Sequence, residues 1–315
     1  MTDWKSLARQ PDTGLYIRTL MEALEFPQPA QEALQRDWQS LQANPAAREA
    51  FDRLTRRWFL ADYHDVQTDI QAQLHQITAP QAVTAWRADM LLLLAAAKPL
   101  YLRYLGQGYS SELYLASLSD LRYKLLECRQ VKGDWGTFVL FWFPEFYCLE
   151  RFALGRFQYE VKEFPEPAYT YKNWTIRQGD PVLNLHIPSS GPLLKEDRLR
   201  SYQLAYDFYR PRWQTEVMAF TCHSWLLFPE HRLFLPPSSN IRGFMSDYEM
   251  IRQEADPDFS DGWRIFGADY QLDPSLLPRQ TGLQRAYADW LSLGHQAGAA
   301  QGIFLYDGHE FYHHV

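Results

Sequence analysis

Histidine is the side chain whose charge changes nearest neutral pH, with a free pKa of about 6.5, so His186 is where a search for chemistry begins. The run Val182–Ile187 alternates as a strand does. It places Val182, Asn184 and His186 on one face and Leu183, Leu185 and Ile187 on the other. His186 then stands on the more polar face just before the loop Pro188-Ser-Ser-Gly-Pro192, where the cleft of an α/β sheet usually opens. A second strand reads over Gly155–Phe164, with Arg156, Gln158, Glu160 and Lys162 alternating against Phe157, Tyr159 and Val161. If both strands present their polar faces to one cleft, His186 or Glu160 can serve as a general base, directly or through water, with Asn184 beside them as a substrate-binding group. The structural alternative is a hydrogen-bonded histidine at a strand end and a solvated glutamate.

Cys222-His223-Ser224 suggests a nucleophile. On a strand, however, neighbouring side chains point to opposite faces, so Cys222 and His223 cannot form a pair with each other. Cys222 and Ser224 do share a face. They either line the same cleft as substrate-binding residues or fill the core as small side chains. A hydrolase built on either would need its base from another strand, and Ser190 is not in the G-x-S-x-G setting of a nucleophile elbow. His309, His313, His314 and Glu310 near the C-terminus could capture a metal or belong to a frayed tail. His64-Asp65 forms no motif, and the chain has no Walker loop, HExxH, EF-hand or Rossmann fingerprint. No metal is expected.

The elements that must position these residues fall into two groups. Residues 1–131 are poor in glycine and carry apolar side chains at spacings of three and four. Such segments at 14–26, 31–41 and 46–60, and longer ones at 81–105 and about 110–130, predict a helical N-terminal domain. From Lys132 the pattern changes, and residues 132–315 predict a mixed α/β domain. Strands are expected at 155–164, 169–176, 182–187, within 216–227, at 263–270 and at 302–306, with helices at 195–210, 238–252 and 281–295. The run Phe138–Phe143 reads as either strand or helix and ends at Pro144. The fold class is α+β.

Composition narrows the function. A net charge of −7 argues against a nucleic-acid or anionic-membrane partner, which requires a basic face. Three widely spaced cysteines without a CxxC argue against a disulfide framework or a structural zinc, and they fit a reducing, cytoplasmic compartment. The N-terminus lacks the apolar stretch of a signal peptide, and the run Met90–Ala97 is too short to span a bilayer.

Four segments carry a resemblance: LGRFQYE at 154–160, LHIPSSGPL at 185–193, CHSWLLFP at 222–229 with SSNIRGF at 238–244, and LPRQTGLQRAYADWL at 277–291. Together they resemble a bacterial acyltransferase family with an N-acyltransferase N-terminal domain and a GNAT-like C-terminal domain. The resemblance implies transfer of an acyl group from acyl-CoA or acetyl-CoA, as cosubstrate, to a small-molecule amine or peptide acceptor. It implies that CoA is wedged between two splayed strands, with its pyrophosphate at a strand-to-helix junction. The matching residues are Ser189, Ser190 and Gly191, small enough for a phosphate to approach the backbone of a helix N-terminus. His186 or Glu160 would then be the base. The loop departs from the glycine-rich pattern usual there, because Pro192 contributes no N–H. An alternative reading is a non-catalytic module that keeps the GNAT-like shape to bind a ligand or a protein.

Overall fold

The computed structural model describes residues 2–61 and 63–314, with 63–67 described by their backbone alone; the side chains of His64 and Asp65 therefore lie outside the described residues. The chain divides into two compact units, Met1–Phe152 and Ala153–Val315.

The first unit is helical: α1 (Trp4–Arg9), α2 (Thr13–Ala23), α3 (Gln28–Ala43), α4 (Pro45–Leu60), α5 (Tyr63–Thr78), α6 (Ala85–Gly106), α7 (Ser111–Lys132) and the short α8 (Pro144–Tyr147). Local chemistry starts several of them. Asp12, Asn44, Thr84 and Ser110 accept hydrogen bonds from first-turn N–H groups of α2, α4, α6 and α7. The apolar run that is too short for a membrane is the heart of this unit. Every residue from Ala88 to Ala97 on α6 is buried, and α6 packs against α1 to α5 and α7. A helix surrounded on all sides needs no polar face. Among the described residues no helix is long and apolar enough to cross a membrane.

Gly133 ends α7 in the left-handed conformation. The residues that follow, where the sequence reading begins a second domain, pack back onto the helices. The Thr137 N–H donates to the Trp86 carbonyl, the Tyr147 hydroxyl to the Leu93 carbonyl at 2.7 Å, and Arg103 to the Tyr147 carbonyl at 2.6 Å. The run Phe138–Phe143 contains a 3-10 turn over Leu140–Trp142.

The second unit is built on one mixed sheet. Its elements in chain order are β1 (Arg151–Leu154), β2 (Phe157–Glu163), β3 (Ala168–Tyr171), β4 (Trp174–Arg177), β5 (Pro181–His186), α9 (Lys195–Tyr209), β6 (Met218–Ser224), α10 (His231–Phe234), α11 (Asn240–Met245), β7 (Glu249–Asp256), α12 (Trp263–Phe266), α13 (Gly282–Ser292), β8 (Ala297–Tyr306) and β9 (Phe311–Tyr312). The sheet runs β1-β2-β5-β6-β8-β7, with β9 continuing along the free side of β8. β5 and β6 are parallel, joined by the α9 crossover. β2–β5, β6–β8 and β7–β8 are antiparallel.

One face of this sheet is aromatic. Phe157, Phe220 and Phe304 meet Tyr202 of α9, Tyr159 packs edge-on against Phe220, and Phe244 of α11 packs on Phe157. Phe220 and Phe304 stack at 4.9 Å. On the opposite face the hairpin β3–β4 covers Val182, Ala219, Ile303 and Leu305 at one end of the sheet.

Four expectations change. Residues 169–176 are two strands and a tight turn, not one strand. Helix holds only over 240–245, and residues 249–256 form edge strand β7; their polar, helix-compatible composition is overridden by the ladder to β8. Residues 263–270 are a helical turn that buries Ile265 and Phe266 against Phe259 and Tyr287, not a strand. The last long strand begins at Ala297, five residues earlier than expected. Its small residues hide it, and Gly298 is required because a Cβ there would lie 2.4 Å from the Phe228 ring and 2.5 Å from the Glu254 carbonyl oxygen.

α9 and α11 are locked together by a buried charge. Arg198 donates to both carboxylate oxygens of Asp247 at 2.6 and 3.0 Å, and to the carbonyls of Leu193 and Gly243. Tyr202 also donates to Asp247. Asp247→Ala leaves a buried guanidinium without its counter-ion, at a cost of about 3 kcal/mol. Thermal unfolding should show a midpoint lower by roughly 10 °C, with Asp247→Asn intermediate; an unchanged midpoint would show that the pair does not hold these helices.

Candidate active site

Register decides which side chains meet. Glu160 is the cross-strand partner of Asn184, and Gln158 of His186. Asn184 is the partner of Thr221 on the other side. Directly paired residues point to the same side of a sheet, so Glu160, Asn184, His186, Thr221 and His223 share the face opposite the aromatic core. The structure brings together Glu160, Asn184 and His186. His186 Nε2 lies 2.7 Å from Glu160 Oε1 and 3.1 Å from Asn184 Nδ2, and Asn184 Nδ2 lies 3.5 Å from Glu160 Oε1.

Glu160 is not solvated. It is 2% exposed, and a carboxylate in that setting requires close partners. His186 supplies one and Lys162, with Nζ at 3.6 Å, another. The short contact to Oε1 is satisfied when Nε2 carries the ring proton and donates it to the carboxylate. That tautomer puts the lone pair on Nδ1. The Asn184 amide, facing the same oxygen, then steadies Glu160 rather than the ring. An imidazole oriented by a buried carboxylate in this way has the arrangement that general-base chemistry requires.

The same region contains a break in the sheet. Among the described residues β5 and β6 pair only at Leu183↔Phe220 and Asn184↔Thr221. Beyond those residues β5 stays with β2 as far as His186, and β6 stays with β8 as far as Ser224. The two parallel strands part just where the polar face carries its acid–base groups. Backbone groups freed from the ladder there must find another partner.

The loop after β5 is shaped by Arg156. Its guanidinium donates to the carbonyls of Pro188, Gly191 and Pro192 at 3.0, 2.6 and 3.1 Å. In a trans peptide the carbonyl and the following N–H point opposite ways, so the N–H groups of Ser189 and Leu193 face away from Arg156. Gly191 has φ +116 with open space around it, a conformation side chains resist. Leu194 caps α9 without a side-chain acceptor, so that helix start offers its first-turn N–H groups without an internal cap. Ser189 and Gly191 are exposed and Ser190 partly so.

Cys222 and Ser224 are not brought to this site. The register sets them on the opposite, aromatic face with Phe220. Cys222 is 1% exposed, and burial pushes its thiol far up. The Ser224 hydroxyl accepts from the Leu226 N–H and caps a turn. The C-terminal histidines are likewise ordered rather than frayed: β9 pairs with β8, and His314 donates its N–H to Glu249. Among the described residues no group of three metal-ligating side chains gathers anywhere. Reading the sequence alone missed Arg156 as a loop clamp and His223, whose Nε2 lies 2.7 Å from Glu254 Oε1. The alternation had already set Arg156 on the polar face. Nothing in the sequence ties His223 to Glu254, because β8 lies between their strands.

Residues 16–149 match the N-acyltransferase N-terminal domain family, and residues 152–304 match the GNAT-like C-terminal domain family. No curated protein matches the chain in sequence. Among solved structures it is similar to an acyltransferase in complex with decanoyl-CoA and teicoplanin, at 20% identity and a TM-score of 0.69, over 91% of this chain and 86% of that one. An acyltransferase in complex with CoA and 10C-teicoplanin gives 21% identity with the same TM-score and coverage. At this identity the likeness is one of fold.

Burial orders the thiols. Cys222 and Cys128 are buried, with Cys128 pushed up to about 11, and Cys148 is half-buried. Iodoacetamide near pH 8 should label Cys148 first and reach Cys222 only after denaturation, as read by peptide mass analysis. Rapid labelling of Cys222 in the folded protein would place it in an accessible cleft after all.

Proposed function

The chain belongs to the family that joins an N-acyltransferase N-terminal domain to a GNAT-like C-terminal domain, and from this premise we propose that it moves an acyl group from acyl-CoA to an amine, small-molecule or peptide. The observation that carries the proposal is the parting of β5 and β6 immediately beside Glu160, Asn184 and His186. A thioester lying in that opening has its carbonyl beside strand backbone freed from the ladder, where an N–H can hold the developing oxyanion. The amine attacks from the polar face. His186 takes its proton, and Glu160 stabilises the imidazolium through its contact with Nε2.

Donor binding follows from the loop. Ser189, Ser190 and Gly191 lead into a helix start whose N–H groups suit a pyrophosphate. Arg156, spent on the loop carbonyls, shapes the cradle rather than contacting the anion. The similar structures hold decanoyl-CoA and CoA, which supports acyl-CoA as cosubstrate here, and the teicoplanin of the first supports an acceptor of peptide character. A net charge of −7 favours a cationic amine over a nucleic acid or an anionic membrane as its partner. Pro192 and the occupied loop carbonyls favour one rival, a binding module that keeps the shape without turnover.

Calorimetric titration with acetyl-CoA, decanoyl-CoA and CoA tests the donor, and hydroxamate formation from hydroxylamine serves as the acceptor assay. His186→Ala should bind decanoyl-CoA as the parent does and lose turnover by about 10²–10⁴. Gly191→Leu, strained at its positive φ and filling the open space in front of the loop, should weaken donor binding without unfolding the protein. Binding without turnover in the parent protein would favour the binding module. No binding of any of the three CoA compounds would overturn the acyl-CoA reading.

A further inference from the structure

The opening between β5 and β6 has two lips, and each carries a histidine at the equivalent position. Asn184 and Thr221 are the last paired residues. Two residues farther along each strand, on the same face, stand His186 and His223. At the last pair the strands are about 4.8 Å apart, and they diverge beyond it, so the two rings flank a gap rather than touch within the ladder. Each ring is tied through Nε2 to a glutamate Oε1 at 2.7 Å: His186 to Glu160 and His223 to Glu254. The second pair reaches diagonally across β8, where His223 lies opposite Gln301 and Glu254 opposite Ala299.

The pairs differ in one respect. The side chains of His186 and Glu160 are 22% and 3% exposed, while those of His223 and Glu254 are 43% and 51% exposed. An ion pair that open contributes little to stability, so stability does not account for its place at the lip. Exposure does suit a group that must be reloaded with a proton from water after every cycle, while burial suits a base whose orientation must not drift.

We propose that His223, held by Glu254, is the acid that protonates the departing CoA sulfur. The proposal rests on the acyl-CoA reading above. The amine nitrogen forms the new C–N bond, and its proton passes to the His186 ring. The C–S bond breaks, and the sulfur takes a proton from the Nδ1 of the His223 imidazolium, which becomes a neutral ring whose Nε2–H stays hydrogen-bonded to Glu254. Amide and CoA thiol leave; His186 then gives a proton to water and His223 takes one.

The test compares the parent protein, His186→Ala and His223→Gln, with hydroxylamine as acceptor and two donors. Decanoyl-CoA has an alkyl thiol as leaving group. Thiophenyl decanoate has a far more acidic thiol that departs without a proton. His223→Gln should lower kcat about 100-fold with decanoyl-CoA and less than about 10-fold with thiophenyl decanoate, at unchanged melting temperature. His186→Ala should be slow with both. In parallel, ring ¹⁵N–¹H spectra with CoA should move the signal that His223→Gln removes, and desulfo-CoA should move it less. Equal losses with both thioesters, no loss with decanoyl-CoA, or CoA binding that leaves the His223 ring signal in place would each overturn the assignment. Failure of the parent protein to bind CoA or decanoyl-CoA would instead overturn the acyl-CoA reading beneath it.

Discussion

Two adjacent strands of this sheet are claimed by different neighbours, and much of the molecule follows from that. β5 is bound along its length to β2, and β6 to β8, while the parallel ladder between them lasts for only two residues on each strand. Continuous pairing on the outer sides lets the inner sides separate without unfolding either strand. The cost of leaving backbone groups unpaired at a sheet interior is large, so such a gap persists only where the flanking elements hold it. Here α9 crosses from one strand to the other, and the Arg198–Asp247 pair ties α9 to α11. The parting is thus a product of how the sheet is bounded, not of any residue in the gap.

The two faces of the sheet then divide the labour. Aromatic side chains from β2, β6, β8, α9 and α11 fill one side, and stacked and edge-on rings make it stiff. Cys222 belongs to that side, which explains its burial. The opposite side carries the hydrogen-bonded polar groups. Because the side-chain period of a strand is two, a shift of one residue in the β2–β5 register would have sent Glu160 into the aromatic core and a phenylalanine or tyrosine into the site.

Much of the polar constellation was legible in the sequence, since alternation alone places Glu160 on one strand face and Asn184 and His186 on another. What alternation cannot state is which strands become neighbours, and so the ties of His186 to Glu160 and of His223 to Glu254 appear only in three dimensions. Burial was hidden for a similar reason. A row reading Arg, Gln, Glu, Lys looks solvated, yet Glu160 lies beneath its partners. The helices of the first unit were readable because caps and apolar spacing are local signals. β7 and the start of β8 were not, since one is a charged edge strand and the other a run of alanine and glycine, and both are strands only because they pair.

Arg156 gives the loop after β5 a property beyond its shape. Three of that loop's carbonyls are held by one guanidinium from the β1–β2 turn, so the segment is ordered as part of folding. A floppy loop of serine and glycine would surrender its freedom at the moment a ligand arrived, and the lost entropy would be subtracted from affinity. Here that entropy has already been lost when the chain folds. Association at this end of the sheet should resemble docking into a finished surface, with little of the unfavourable entropy and few of the slow kinetic phases that accompany a loop closing around its guest.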